Sequence, residues 1–78
     1  MSYPSSWNDD VYYIVEVEVG GEILYMFTRN VALHFADMGK KFLYKRSAQR
    51  YYKGSEFEKR KCNYRIVRYS RYQDRIID

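Results

Sequence analysis

The chain has 78 residues, a formal net charge of +4 and 19% aromatic residues, among them ten tyrosines. This length predicts one domain, residues 1–78, with a thin core, because so short a chain buries only about 60% of its unfolded surface. The aromatic content is too high for a disordered polypeptide, so we expect disorder only at the ends: a flexible segment over residues 1–10 and a loose tail over residues 71–78.

Cysteine and histidine are both nearly absent, which limits the kinds of site this chain can hold. Cys62 is the only cysteine and His34 the only histidine, so neither an internal disulfide nor a zinc ligand set is available. The first ten residues lack the basic and apolar regions of a signal peptide, and the run at residues 11–15 is too short to span a bilayer. We therefore expect a cytoplasmic protein with no membrane partner.

Charge is divided unequally along the chain. Residues 1–39 hold one base and six acids, a net charge of −5, whereas residues 40–78 hold thirteen bases and four acids, a net charge of +9. Such segregation in a small domain predicts a charged patch that steers binding partners. The alternative is that both halves present solvated faces that attract each other within the fold.

In chain order, the first predicted element is a β-hairpin. Residues 11–19 alternate between apolar and polar side chains, and residues 22–28 form a second β-rich run after Gly20-Gly21. A two-residue Gly-Gly loop is a strong hairpin signal, because primed turns need positive φ angles. The predicted register pairs Val19 with Glu22, Val17 with Leu24 and Val15 with Met26, and places these residues on the core face.

The other face of this hairpin is half apolar and half acidic. It is the best candidate for a protein-binding surface, and its residues are Ile14, Glu16, Glu18, Tyr25 and Phe27. The alternative is that another element of the same domain covers Ile14 and Phe27.

The remaining elements complete a small α+β domain. Residues 29–42 fit either a short helix capped by Asn30 or a third strand, and we favour a strand or an irregular crossover. Residues 44–53 predict the main helix, with Tyr44, Ala48, Tyr51 and Tyr52 as its apolar stripe. The sequence predicts a loop at residues 55–61 and the last strand at residues 62–69. It predicts a further turn of helix in the tail. The predicted fold is a small antiparallel sheet, made of the N-terminal hairpin and the C-terminal strand, packed on one main helix.

Catalytic chemistry has weak support. His34 and Cys62 could pair, but both fall in apolar-patterned segments, where a buried thiol and a satisfied imidazole are the ordinary roles. Glu16 and Glu18 share one strand face, as solvent-facing residues of a hairpin commonly do. No glycine-rich phosphate loop is present. We therefore predict a protein that is not an enzyme and needs no cofactor or metal.

The basic second half carries a stronger signal, for nucleic acid. Cationic side chains neutralise phosphates, and tyrosine rings stack on unpaired bases. The predicted basic face consists of Lys45, Arg46, Arg50, Lys53, Arg65, Arg68 and Arg71. Tyrosine and arginine are also enriched at protein interfaces, so composition does not separate the two kinds of partner.

The order of elements also resembles a broad type of small phage-encoded protein. The resemblance covers residues 11–69: a hairpin, the segment DMGKKF at residues 37–42, the helix KRSAQRY at residues 45–51 and a closing strand. It implies core roles for Phe42, Ala48, Tyr52 and Ile66. Such proteins, many anti-CRISPR proteins among them, often bind and disable or redirect a bacterial machine. Those that mimic DNA are mostly acidic, whereas this chain is basic.

These observations give a leading hypothesis and an alternative. The first is a non-catalytic, phage-type protein that binds and inhibits or modulates a bacterial nucleic-acid-handling or defence complex in the host cytoplasm. The alternative is direct binding of RNA or single-stranded DNA by the basic second half. Self-association is also open, because an acidic hairpin and a basic half could pair between copies.

Overall fold

The computed structural model describes residues 11–77, and these form an antiparallel sheet of five strands with one main helix against it. The prediction of a flexible segment over residues 1–10 lies outside this range. The elements in chain order are β1 (Val11–Val19), β2 (Glu22–Met26), β3 (Ala32–Leu33), a 3-10 helix (Ala36–Met38), α1 (Lys45–Tyr52), α2 (Glu56–Lys59), β4 (Tyr64–Ser70) and β5 (Arg75–Ile76). The strand order is β3-β2-β1-β4-β5. The broad α+β prediction is confirmed, and the sheet is larger than a hairpin plus one strand.

The β1–β2 hairpin has the predicted register. Val17 pairs with Leu24 and Val19 with Glu22. Gly20 and Gly21 join the strands with φ angles of 59° and 83°, which L-residues with a Cβ rarely adopt. The turn therefore sets which side chains of both strands share a face.

One face of the sheet packs against α1 and forms the main core. Ala48 and Tyr52 of the helix are buried against Val15, Val17 and Met26 of the hairpin. The side chains with implied core roles, Phe42, Ala48, Tyr52 and Ile66, all pack in this cluster. The Tyr52 hydroxyl is satisfied there, because it donates a hydrogen bond of 2.6 Å to the Cys62 carbonyl.

A second, smaller core lies on the opposite face of the sheet. Ile14 is fully buried in it, with Val67 and Tyr69 of β4 as its buried neighbours. The chain after the 3-10 helix crosses this face so closely that a Cβ at Gly39 would lie 3.5 Å from the Ile14 Cβ. Ile14 is therefore not part of an exposed binding surface, and the alternative, cover by another part of the same domain, holds at this residue.

The segment at residues 29–42 is mainly an irregular crossover. β3 contributes two residues to the sheet edge, and Asn30 caps no helix, because it lies in a turn closed by the Thr28 hydroxyl. Phe42 then runs beside β1, where it exchanges two backbone hydrogen bonds with Tyr13. The favoured interpretation, a strand or a crossover, is thus confirmed.

Two predictions near the C-terminus are wrong. The predicted loop contains helix α2, because the Ser55 side chain caps its first turn by accepting a hydrogen bond from the Glu58 amide. The predicted helical tail is instead a second hairpin, in which β5 pairs with β4. Asp74 makes that turn possible with a positive φ of 55° and accepts a hydrogen bond from the Tyr69 hydroxyl.

Candidate functional site

Helix α1 exposes several cationic side chains to solvent. Its buried stripe consists of Ala48 and Tyr52, the opposite side exposes Arg46 and Arg50, and Lys45 and Lys53 are exposed at its two ends. The surrounding stretch, residues 38–55, holds six bases and no acid. Among residues 11–77 none of these four side chains forms an ion pair, so their charge faces outward uncompensated by direct contact.

Two further cations are brought to this surface by one aromatic ring. The Arg29 guanidinium lies 5.4 Å from the centroid of the Tyr51 ring, and the Lys40 ammonium lies 5.8 Å from the same centroid. Tyr51 itself packs against Phe42, with centroids 5.1 Å apart. These distances fit cation–π contacts, which hold the two cations beside the helix. We call the set Arg29, Lys40, Lys45, Arg46, Arg50 and Lys53 the cationic helical face.

Sequence reasoning missed Arg29 and Lys40 in this set. Arg29 lies in the acidic half of the chain, as its only base, and its place beside Tyr51 depends on tertiary contacts. The backbone carbonyl of Arg29 also accepts a hydrogen bond from the Glu56 amide, which fixes the turn after β2 against the start of α2. No local pattern in the sequence signals such a long-range contact.

Tyr44 also departs from its predicted role. The sequence places it on the apolar stripe of the helix, yet its backbone is extended, with φ −124° and ψ 140°, and its side chain is 60% exposed. It is the N-terminal cap residue of α1, so it does not follow the helical periodicity that buries Ala48 and Tyr52. An exposed aromatic ring consequently borders the cationic helical face.

The three other predicted basic residues do not extend this face as one surface. Arg65 and Arg68 lie three residues apart on β4, so their side chains point to opposite sides of the sheet. Arg68 is opposite Tyr13, on the side of α1, whereas Arg65 is opposite Glu16, on the other side. Arg71 lies in the turn between β4 and β5. The structure thus places four of the seven predicted residues on α1 or at its C-terminal cap and Arg68 on the same side of the sheet, whereas Arg65 lies on the opposite side.

The predicted hairpin surface is only partly available to a partner. Ile14 is buried, and Glu16 is 8% exposed and accepts a hydrogen bond of 2.7 Å from Arg65 Nε. Glu18 accepts a longer one, 3.4 Å, from the Asn63 side chain. Tyr25 is half-buried, and burial raises the pKa of its hydroxyl, with the nearby Glu16 carboxylate acting in the same direction. Beside these groups lies an open cavity of about 410 Å³, and its lining residues are Glu16, Val17, Glu18, Ile23, Asn63, Tyr64 and Arg65.

The contact between Arg65 and Glu16 is expected to stabilise the fold more than an ordinary surface ion pair does. Arg65→Ala leaves a nearly buried carboxylate without its guanidinium partner, and we expect it to lower the free energy of unfolding by about 1–2 kcal/mol. In a Glu16→Gln background the same substitution should have a smaller effect. Urea denaturation of the four proteins measures this difference, and equal effects in both backgrounds would contradict it.

The hydroxyl of Tyr69 carries the largest pKa shift in the described residues. Its hydrogen bond to Asp74 and its burial raise the pKa from 10.0 to about 12. The folded state thus keeps this proton at pH values where the unfolded chain has lost it. The resulting stabilisation is complete below pH 10 and disappears as the pH rises towards 12.

A comparison of the wild type with Tyr69→Phe tests this pH dependence. Burial also raises the pKa of Tyr25 and Tyr52, so the difference between the two proteins isolates the contribution of Tyr69. We expect the free-energy advantage of the wild type, measured by urea denaturation, to shrink between pH 10 and pH 12. An advantage that stays constant through that interval would show that the hydrogen bond does not hold the proton.

The two groups considered as a catalytic pair, His34 and Cys62, lie apart. His34 Nε2 contacts Glu22 Oε1 at 2.6 Å on the exposed end of the hairpin. His34 follows β3, which is the edge strand of the sheet, and Cys62 precedes β4, which is three strands away from β3. Cys62 packs against the core under α1. Within residues 11–77 no group of three or more His, Cys, Asp or Glu side chains is placed to hold a metal ion.

Comparisons with known proteins give no relative. No family model, curated protein or solved structure matches this chain. The helices of residues 11–77 are all too short or too polar to cross a membrane.

Proposed function

We propose that this protein is a non-catalytic binding protein that contacts nucleic acid directly through the cationic helical face. The observation that carries the proposal is the group of six exposed cations around α1, none of them in an ion pair with residues 11–77. Such a surface has a positive electrostatic potential, which attracts a polyanion. Phosphate groups are its natural ligands, because each Lys or Arg that neutralises one releases condensed counterions.

The shape of the face favours contact with the phosphate backbone. The helical cations are exposed on a short helix that Ala48 and Tyr52 fix to the sheet. This attachment keeps the backbone under the cations rigid, while the long side chains adapt to a flexible strand. Binding of this kind depends little on base sequence.

Titration with labelled nucleic acid tests the proposal. We expect fluorescence anisotropy to detect binding of a short single strand at low salt, and backbone amide shifts in NMR spectra to change mainly at residues 44–53 and around Arg29 and Lys40. The absence of binding to single-stranded and duplex probes at low salt would refute the proposal. Shift changes confined to the hairpin or to the β4–β5 turn would move the site elsewhere.

A second candidate function is modulation of a bacterial nucleic-acid-handling or defence complex through a protein contact. The resemblance to small phage proteins motivates it, and the open cavity beside Glu18 and the half-exposed Ile23 offers it a surface. Capture of a partner from bacterial lysate should then survive nuclease treatment and be lost in an Ile23→Asp variant. Capture that nuclease abolishes would instead indicate that nucleic acid forms the bridge.

A further inference from the structure

The chain immediately before α1 exposes two large apolar side chains that the core does not use. Leu43 is 61% exposed and Tyr44 is 60% exposed. Other tyrosines have partners inside the fold: Tyr52 stacks on Tyr64 with centroids 3.7 Å apart, and Tyr51 packs on Phe42. Tyr44 has no aromatic partner among residues 11–77, and its hydroxyl forms no hydrogen bond with them.

The ring of Tyr44 lies at the border of the cationic helical face. Lys45 and Arg46 follow it in sequence and are exposed, and the Arg46 guanidinium lies 5.7 Å from the centre of the Tyr44 ring. An exposed aromatic ring beside a guanidinium is a suitable platform for a nucleobase, since bases stack on both aromatic rings and arginine planes. The neighbouring cations can then hold the phosphates on either side of that base.

From this arrangement we infer that Tyr44, flanked by Leu43, is a base-stacking platform that makes single-stranded nucleic acid the preferred ligand over duplex. The inference rests on the proposed nucleic-acid binding by the cationic helical face and names its substrate class. In a duplex the bases are already stacked and paired, so their faces cannot reach Tyr44. A single strand offers both the phosphates and the free base, whereas a duplex offers only the phosphates.

Three probes of equal length separate stacking from phosphate contact: a single-stranded oligothymidylate, a duplex, and an abasic strand that keeps the phosphates without bases. Wild-type protein should bind the oligothymidylate more tightly than the other two in anisotropy titrations. Tyr44→Ala should weaken binding of the oligothymidylate about 10-fold and leave the affinity for the abasic strand within about twofold, since stacking on one base has this size. Tyr44→Phe keeps the ring and should retain nearly all of the affinity.

A matched control is Tyr72→Ala, which removes a ring that is 83% exposed but lies in the turn between β4 and β5. We expect it to bind all three probes as the wild type does. If the wild type binds the oligothymidylate and Tyr44→Ala binds it equally well, Tyr44 is not a stacking platform. The proposed binding by the cationic helical face would still stand. Equal affinity of the wild type for single strand and duplex would also overturn the platform, and failure of the wild type to bind any probe would overturn both proposals.

Discussion

Replacing Lys45, Arg46 and Arg50 together with glutamine is expected to weaken binding of a short single strand about 100-fold at about 0.1 M salt. The estimate follows from counterion release, because each lost phosphate contact on a single strand removes about 0.7 from the slope of log K against log salt. Glutamine is a good helix former, so α1 should persist. The three side chains are exposed and form no ion pairs within residues 11–77, so their loss should leave the fold stable.

The control for this triple variant removes the same charge from another place. Lys59, Arg60 and Lys61 are exposed at and after the end of α2, and their replacement by glutamine also lowers the net charge by three. We expect a loss of binding several times smaller than that of the helix variant. Equal losses in the two variants would show that total charge, and not the cationic helical face, determines the affinity.

The substitution Ile14→Ala is expected to destabilise the fold by about 2–5 kcal/mol. Ile14 is completely buried in the second core, between Val67 and the close approach of Gly39, so the truncated side chain leaves a cavity. A domain of this size has a net stability of only about 3–5 kcal/mol, which places the variant near unfolding at room temperature. Ile14→Val, with an expected loss of about 1 kcal/mol, gives a measurable intermediate.

Ile23→Ala provides a matched control on the same hairpin. Ile23 lies on the same face of the sheet as Ile14 but is 46% exposed. We expect its truncation to lower the free energy of unfolding by less than about 1 kcal/mol in urea denaturation. If Ile14→Ala and Ile23→Ala have similar effects, the second core does not stabilise the protein as described.

The elements that sequence predicts best are those whose signal is local. Gly20-Gly21 restricts the turn to positive φ angles, and the alternation on both sides then determines the register of β1 and β2. Ala48 and Tyr52 have helical spacing, so the buried side of α1 could also be predicted. The exposure of Arg46 and Arg50 on the opposite side follows from the same periodicity.

Helix α2 and the β4–β5 hairpin, which the sequence analysis did not predict, also have local signals in the sequence. Ser55 and Glu58 have the S-x-x-E spacing that is typical of a helix N-terminus. In the structure the Ser55 hydroxyl accepts a hydrogen bond from the Glu58 amide, as this motif predicts. Glu58 Oε1 accepts its hydrogen bond from the Gly54 amide, so the motif is matched only in part. The high charge of residues 55–61 concealed this signal. An Asp-containing turn before Arg75 likewise permits the second hairpin.

Other features depend on contacts between distant parts of the chain. The cover of Ile14 requires the crossover to pass over the sheet at Gly39, and the place of Arg29 requires the ring of Tyr51 from α1. Tyr44 fits the helical spacing but lies where the helix has not yet begun. The positions of Ile14 and Arg29 thus depend on the tertiary arrangement, and that of Tyr44 depends on where the helix begins.

The dependence of single-strand binding on salt concentration tests the central claim most directly, because it counts the phosphates that the protein contacts. Four to six cations on the cationic helical face predict a slope of about −3 to −4 for log K against log salt with the wild type, and a slope about 2 units shallower with the Lys45, Arg46 and Arg50 glutamine variant. A slope near zero for the wild type, or the same slope for both proteins, would contradict binding through this face.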